Sequence, residues 1–202
     1  MNPIIYIVDD DPSVRHGLTT LMEVSGFTVE TFDCGESLLA RNPLDFGCIL
    51  LDVRMPGMDG LQVQEALIKQ KNPLPIIFLT AFGDVSRIVR AVKDGAEDYF
   101  IKPVDGGILV NRVQQVLKDF GLELEKTNAQ KHFTAKLKDL TEREQEVLLL
   151  SIEGLSCKDI GIKLGVSHRT IELHRSHICA KAGMANFTEL FRLASKFGNT
   201  LD

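Results

Sequence analysis

The chain has 202 residues, of which 44% are hydrophobic and 25% charged, with a formal net charge of -5. These are ordinary values for a globular protein, and the length favours two domains of common size. No apolar run approaches the roughly 18 residues of a membrane span, and the N-terminus lacks the basic region of a signal peptide. Four scattered cysteines without C-x-x-C spacing argue against a disulfide framework or a zinc knuckle. We therefore expect a soluble, cytoplasmic protein with reduced thiols and no membrane partner.

The charge is unevenly distributed along the chain. Residues 1–120 hold 11 Lys/Arg and 17 Asp/Glu, a net charge of -6, whereas residues 121–202 hold 12 and 11, a net charge of +1. Within the second part, residues 154–196 carry seven basic and three acidic side chains. An acidic half joined to a locally basic segment indicates two tasks, the second of them on an anionic surface.

Short apolar runs alternate with segments of helical period over the first 120 residues. After the first run, apolar residues fall at Val14, Leu18, Leu21 and Met22, which is the spacing of one helix face. Five strand and helix repeats of this kind predict an α/β fold with a five-stranded, doubly wound parallel sheet that is covered on both faces. The predicted strands are residues 4–8, 28–32, 48–51, 76–79 and 98–101.

Polar side chains stand where most of these runs end, namely Asp9 and Asp10, Asp52, Thr80 and Lys102. Open doubly wound sheets bind ligands at this edge, so we expect these side chains to meet in one crevice. Three carboxylates there repel each other, and Mg²⁺ is the expected compensating cation. A nucleophilic acid, a hydroxyl and an ammonium are the groups needed to form and hold an acyl phosphate. For the first two acids alone, a role in a turn and a helix cap stays an open alternative.

The rest of the chain has a helical pattern. Residues 121–139 are charged and weakly periodic, which predicts a helical or semi-ordered linker. From residue 140 onward the pattern is purely helical. Helix start signals stand at Thr141, Ser156, Ser167 and Asn186, the first two as capping boxes or near variants of one. We expect a second domain of four helices.

Four motifs in the first part occur together and in order. They are "VDDD" at residues 8–11, "LLDVRMPGMDG" at 50–60, Thr80-Ala81, and "YFIKP" at 99–103. With these motifs, residues 3–120 resemble the receiver domain of two-component response regulators. The resemblance implies a flavodoxin-like sheet and a sensor histidine kinase as the partner that supplies a phosphoryl group.

The same resemblance assigns roles to single residues. Asp52 is the expected phosphoacceptor, which attacks a phosphohistidine on the kinase. Lys102 is expected to pair with the phosphoryl group, Thr80 to move and bond it, and Tyr99 to turn inward as the switch aromatic. The receiver is expected to promote only its own phosphotransfer and dephosphorylation, and not to act otherwise as an enzyme. The implied Mg²⁺ ligands are Asp9, Asp10, Asp52 and the backbone carbonyl of Arg54.

Residues 140–190 resemble the LuxR-type helix-turn-helix domain of the NarL/FixJ group, and Glu172, which stands where the group often has Lys, is a FixJ-like feature. The resemblance implies that the helix from His168 to Ala182 enters the major groove of promoter DNA. Spacing on this helix assigns Ile171, Ile178 and Ala182 to the core. Arg175 is expected to reach a guanine or a phosphate, Glu172 a cytosine amine, and Lys181 a phosphate. The side chains expected to be exposed toward DNA are Arg169, Glu172, Leu173, Arg175, Ser176 and Lys181.

These expectations combine into a response regulator with a receiver at residues 1–120, a helical linker at 121–139 and an all-α DNA-binding domain at 140–202. Phosphorylation of Asp52 is expected to alter the receiver face beside the helices that follow the fourth and fifth strands. That change promotes homodimerisation or releases the DNA-binding domain, with RNA polymerase as a further partner. Two alternatives stay open: a phosphatase with Asp52 as nucleophile, although Arg54 stands where such enzymes need a second acid, and a DNA binder that is independent of phosphorylation.

Overall fold

In the computed structural model, residues 2–81, 89 and 91–197 are described, the last three of them by their backbone alone. Contacts divide the chain into two compact units, residues 1–123 and 124–202. No helix in the described ranges is long and apolar enough to cross a membrane. All four cysteines lie in these ranges and are free thiols, as the sequence predicts.

A five-stranded parallel sheet organises the first unit, as expected. The strands follow the spatial order β2-β1-β3-β4-β5. In this order the carboxyl ends of β1 and β3 are neighbours, because Val8 is paired with Leu51. The strands are β1 Ile4–Val8, β2 Thr28–Phe32, β3 Gly47–Asp52, β4 Ile76–Thr80 and β5 Asp98–Ile101.

Helices cover both faces of this sheet. Within β1, Tyr6 and Val8 belong to one apolar cluster, whereas Ile5 and Ile7 belong to another. Because side chains alternate between the faces of a strand, an uninterrupted apolar strand is stable only when both faces are buried. The helices are α1 Pro12–Val24, α2 Gly35–Ala40, α3 Gly60–Lys69 and α4 Gly106–Leu137.

The structure describes one predicted helical segment in part and another in full. The helix predicted after the fourth strand is described only at residues 89 and 91–93, which are helical; Val85 and Ile88, which helped to predict it, lie outside the described residues. Residues 121–137, predicted as a helical or semi-ordered linker, lie in α4.

Four helices follow α4 in the second unit, and each begins where a capping residue predicts. The side chain of Thr141 accepts a hydrogen bond from the Glu144 N–H, and Ser156 and Ser167 cap the next two helices in the same way. Asn186 Oδ1 accepts from the Glu189 N–H at 2.9 Å. The helices are α5 Glu142–Ile152, α6 Cys157–Leu164, α7 His168–Ala182 and α8 Phe187–Phe197.

Candidate functional site

Two carboxylates and one ammonium meet at the carboxyl edge of the sheet. Asp52 ends the central strand β3, Asp9 follows β1, and Lys102 follows β5. The Lys102 Nζ donates a hydrogen bond to Asp9 Oδ2 at 2.5 Å and a second, shorter one to Asp52 Oδ1. Only 1% of Asp9 and 6% of Asp52 is exposed. The structure therefore brings these three side chains together in one buried group, as the sequence predicts.

The electrostatics of this group follow from burial and pairing. Burial raises the pKa of Asp52 above its ordinary value, and the hydrogen bonds from Lys102 and from the Arg54 N–H offset only part of that rise. Burial opposes the charge of Lys102 as well, but its hydrogen bonds to Asp52 and Asp9 outweigh burial and raise the pKa of the ammonium. One ammonium thus pairs with two carboxylates, so the group has a net negative charge when both carboxylates are ionised.

Backbone and side-chain donors hold the two acids in place. Asp9 Oδ1 accepts from the Asp11 N–H at 3.0 Å, and Asp52 Oδ2 accepts from the Arg54 N–H at 2.6 Å. Arg15 donates from Nη1 to the Asp9 carbonyl at 2.6 Å. Sequence reasoning missed Arg15; its position one turn into the helix that follows the acids is the signal that could have identified it.

Asp10 does not join this group. Its side chain is exposed. In the part of the chain that the structure describes, no group of three or more His, Cys, Asp or Glu could hold a metal ion. The structure therefore brings two of the three expected carboxylates together and leaves Asp10 apart from them. The Lys102 ammonium lies between Asp9 and Asp52 and supplies compensating charge there.

Thr80 and Tyr99 lie near this edge in different environments. Thr80 ends β4, is fully buried, and donates from Oγ1 to the Ala81 carbonyl at 3.2 Å, while its own carbonyl accepts from the Lys102 N–H at 2.7 Å. Tyr99 on β5 is 41% exposed. The Lys102-Pro103 peptide bond is cis. Thr80 thus lies on the strand that pairs with β5, and Tyr99 lies on β5 itself, three residues before Lys102.

The loop after Asp52 is tightly built. Asp59 caps α3 in a reciprocal capping box with Gln62, and the side chain of Arg54 is exposed. Gly57 has a φ of 76°, in the left-handed region that favours glycine. A Cβ at Gly60 would lie 2.2 Å from the Asp52 carbonyl oxygen. Glycine at this position therefore allows α3 to begin directly against the strand that carries Asp52.

Helix α7 has a buried face and an exposed face. Ile171, Ile178 and Ala182 are fully buried, as its spacing predicts. Leu173 is 57% exposed. The other exposed side chains that were expected to face DNA are Arg169, Glu172 and Ser176, and that of Lys181 is exposed in part.

Arg175 does not point outward, and the expectation that it is exposed is wrong. Its Nη2 donates to Ser151 Oγ at 2.9 Å and, more weakly, to the Leu155 carbonyl at 3.4 Å. Its guanidinium carbon lies 4.5 Å from the centroid of the Phe187 ring. The physical reason is that a planar guanidinium gains both a hydroxyl acceptor and an aromatic face inside the domain.

Lys181 is also engaged within its own domain. Its Nζ donates to Glu144 Oε2 at 2.7 Å and to the Asp139 carbonyl at 3.3 Å. Glu144 is only 4% exposed, and its pKa is lowered to about 2: burial raises it, but the hydrogen bonds from Lys181 and Thr141 outweigh burial. The expectation that Lys181 is available for a phosphate is therefore not met in this structure, because a buried carboxylate holds its charge.

Comparison with protein families gives two matches. The family of response regulator receiver domains matches residues 5–114, which include Asp9, Asp52 and Lys102. The luxR family of bacterial regulatory proteins matches residues 138–194, which include α5 to α7. The chain therefore combines a receiver with a LuxR-type DNA-binding domain.

Known relatives share this arrangement over nearly their full length. The chain is 35% identical over 195 residues to the transcriptional regulatory protein FixJ of Bradyrhizobium diazoefficiens, covering 96% of this chain and 95% of FixJ. It is 38% identical to DctR of Rhodobacter capsulatus, a C4-dicarboxylate transport transcriptional regulatory protein, covering 96% of this chain and 100% of DctR.

Two solved structures are similar over most of the chain as well. The response regulator StyR has a TM-score of 0.85 and 39% identity, with 97% of this chain and 100% of StyR covered. FixJ from B. japonicum has a TM-score of 0.61 and 34% identity, with 98% of each chain covered. The family is one of transcription regulators rather than enzymes. The chain therefore belongs to the NarL/FixJ family of two-component response regulators, with an N-terminal receiver and a C-terminal LuxR-type DNA-binding domain.

Proposed function

We propose that Asp52 accepts a phosphoryl group from a phosphohistidine of a sensor histidine kinase, and that this event controls promoter binding. The observation that carries the proposal is the buried pairing of Asp52 with Lys102, beside Asp9, at the end of the central strand. A carboxylate in this position is both protected from water and supplied with a cation, which is what an acyl phosphate needs. We place the receiver at residues 1–120, the linker at 121–139 and the DNA-binding domain at 140–202.

The transfer is an in-line displacement at phosphorus. A carboxylate oxygen of Asp52 forms the new P–O bond while the P–N bond to the kinase imidazole breaks, and the imidazole, which already carries a proton on its other ring nitrogen, leaves as the neutral base. Lys102 then pairs with the phosphoryl oxygens instead of with the free carboxylates, because the new group carries more negative charge. The hydroxyl of Thr80 turns from the Ala81 carbonyl, 3.2 Å away, to a phosphoryl oxygen.

Mg²⁺ is the proposed cofactor, held by Asp9, Asp10, Asp52 and the Arg54 carbonyl. The donor set suits it, since Mg²⁺ prefers carboxylate and carbonyl oxygens, and the two buried acids share a single ammonium. Binding requires Lys102 to leave the space between the acids and Asp10 to turn inward. When bound, the ion neutralises charge on the transferring phosphoryl group. We expect millimolar Mg²⁺ to raise the melting temperature of the wild type; no shift would count against this ion.

The proposed output is dimerisation or release of the DNA-binding domain on phosphorylation. Movement of Thr80 makes room for the ring of Tyr99, which is now 41% exposed. Ile101, two residues along β5 and on the same face of the strand, is 43% exposed, and Ile108 near the start of α4 is 59% exposed. Exposed apolar side chains of this kind support a homodimer, which would bind paired half-sites on the promoter and act on RNA polymerase in the cytoplasm.

The test is promoter affinity with and without a small acyl phosphate donor plus Mg²⁺. We expect the donor to strengthen binding by the wild type and to leave Asp52→Asn unchanged. Asp33→Asn is the matched control, because Asp33 is an exposed acid directly after β2 at the same edge of the sheet. Asp33→Asn should respond like the wild type. Equal affinities of wild type and Asp52→Asn under both conditions would instead support a DNA binder that is independent of phosphorylation.

A further inference from the structure

Helix α7 contains three Lys or Arg residues, and two of them are directed at their own domain. Arg169 is exposed, whereas Arg175 and Lys181 make hydrogen bonds to α5. We propose that Arg175 and Lys181 are positioning residues, which fix the recognition helix on α5 and do not contact DNA. This inference rests on the proposed promoter binding and names the residues that make α7 competent for it.

The contact at one end of α5 is an ion pair with a buried acid. Glu144 lies in the first turn of α5, where it also accepts from the Thr141 N–H at 2.8 Å and the Thr141 hydroxyl at 3.0 Å. The Lys181 ammonium completes this set at 2.7 Å. A DNA phosphate that drew Lys181 away would take the cation from a carboxylate that is only 4% exposed. Such a displacement leaves a buried charge without its cation, which is strongly unfavourable.

The contact at the other end of α5 is a charge-assisted hydrogen bond. Ser151 is 3% exposed, and its hydroxyl donates to the Val147 carbonyl at 2.6 Å while it accepts from Arg175 at 2.9 Å. The guanidinium also covers Phe187, the first residue of α8. Arg175 thus joins the recognition helix to two other helices at once.

Together the two contacts define the orientation of α7. Glu144 and Ser151 are two helical turns apart, so the attachment points are separated by roughly 10 Å along α5. Two separated attachments fix both the rotation and the tilt of a helix, whereas one fixes neither. The exposed side chains Glu172, Leu173 and Ser176 depend on that orientation to meet base edges. Loss of either attachment should therefore weaken specific binding without removing any DNA contact.

Glu144→Gln in the full-length protein distinguishes a positioning role of Lys181 from a simple effect of charge on DNA binding. The substitution removes a negative charge close to the recognition helix, so charge alone would strengthen binding to DNA. Positioning predicts the opposite, a loss of about tenfold in affinity for a genomic fragment that the wild type binds. Glu142→Gln is the matched control, because Glu142 is an exposed acid on the same turn of α5. It should leave the affinity unchanged or slightly raise it.

The salt dependence of binding gives an independent readout. Each phosphate contact contributes about 0.9 to the slope of log affinity against log salt concentration. Lys181→Met should lower the affinity and leave this slope unchanged. Arg169→Ala, on the exposed face of the same helix, should lower the slope by about 1.

Three results would overturn the inference: unchanged or stronger binding by Glu144→Gln, no difference between Glu144→Gln and Glu142→Gln, or a slope lowered by about 1 in Lys181→Met. Ser151→Ala provides a second variant if Glu144→Gln does not fold, since it removes only a hydroxyl acceptor of Arg175 and should weaken binding. Wild type that selects no genomic fragment would instead remove the proposed promoter binding itself.

Discussion

The buried acid Glu144 should make the stability of the second unit depend on pH in a defined direction. Its pKa is lowered from 4.5 to about 2 in the folded protein. A carboxyl group with a lowered pKa stabilises the fold at pH values above its unfolded pKa, and this contribution is lost as the pH falls through the folded pKa. The contribution should therefore be complete at pH 6 and decline between about pH 4.5 and pH 2.

The size of the stabilisation by Glu144 follows from its lowered pKa and from the exposure of its partner, Lys181. About 2.5 pKa units at about 1.4 kcal/mol each set an upper value of about 3.4 kcal/mol. The side chain of Lys181 is 37% exposed, so water screens part of the interaction. We expect about 2 kcal/mol at pH 6, with more than half of it gone at pH 3.

The assay compares urea unfolding of the wild type and Glu144→Gln, followed by circular dichroism, over this pH range. Glutamine cannot ionise, so the difference between the two proteins isolates the contribution of the carboxylate. Glu142→Gln is the control, since Glu142 is exposed on the same turn, and it should follow the wild type. A difference that stays constant from pH 6 to pH 3, or that is absent at pH 6, would refute this account of Glu144.

Three other substitutions test the packing and charges described above. Because burial raises the pKa of Asp52, its ionised form opposes folding, and Asp52→Asn should raise the melting temperature at pH 7, an advantage that shrinks in acid. Gly60→Ala should cost about 2 kcal/mol in urea unfolding, because its Cβ would meet the Asp52 carbonyl, whereas Gly17→Ala, with open space, should be neutral or stabilising. Arg175→Ala should cost about 2 kcal/mol through its lost hydrogen bond and ring contact, and Arg169→Ala less than about 0.5 kcal/mol by the same measurement.

The elements that the sequence predicts well are those determined by short-range chemistry. The strands β1 and β3 are continuous apolar runs, which is the pattern of strands buried on both faces. Asp59 and Thr141 cap their helices because the residues three positions later complete each capping box. The meeting of Asp9, Asp52 and Lys102 follows from parallel topology, since carboxyl ends of neighbouring strands share one edge.

The features that the sequence does not predict depend on partners far along the chain. Helical spacing places Arg175 near the border of the buried stripe, and contacts with Ser151, 24 residues earlier, and with the Phe187 ring turn its side chain inward. Lys181 is bound by Glu144, which is 37 residues earlier. At the sheet edge, topology predicts which charges meet but not which cation compensates them, and in this structure Lys102 does so.

The central claim, that Asp52 is the phosphoacceptor, is tested most directly by mapping the phosphoryl group. Wild type would be incubated with a small acyl phosphate and Mg²⁺, digested, and analysed by mass spectrometry. We predict one hydroxylamine-sensitive phosphoryl group on the peptide that contains Asp52, also in Asp33→Asn, and none in Asp52→Asn. A phosphoryl group on another residue, or equal labelling of Asp52→Asn, would contradict the account.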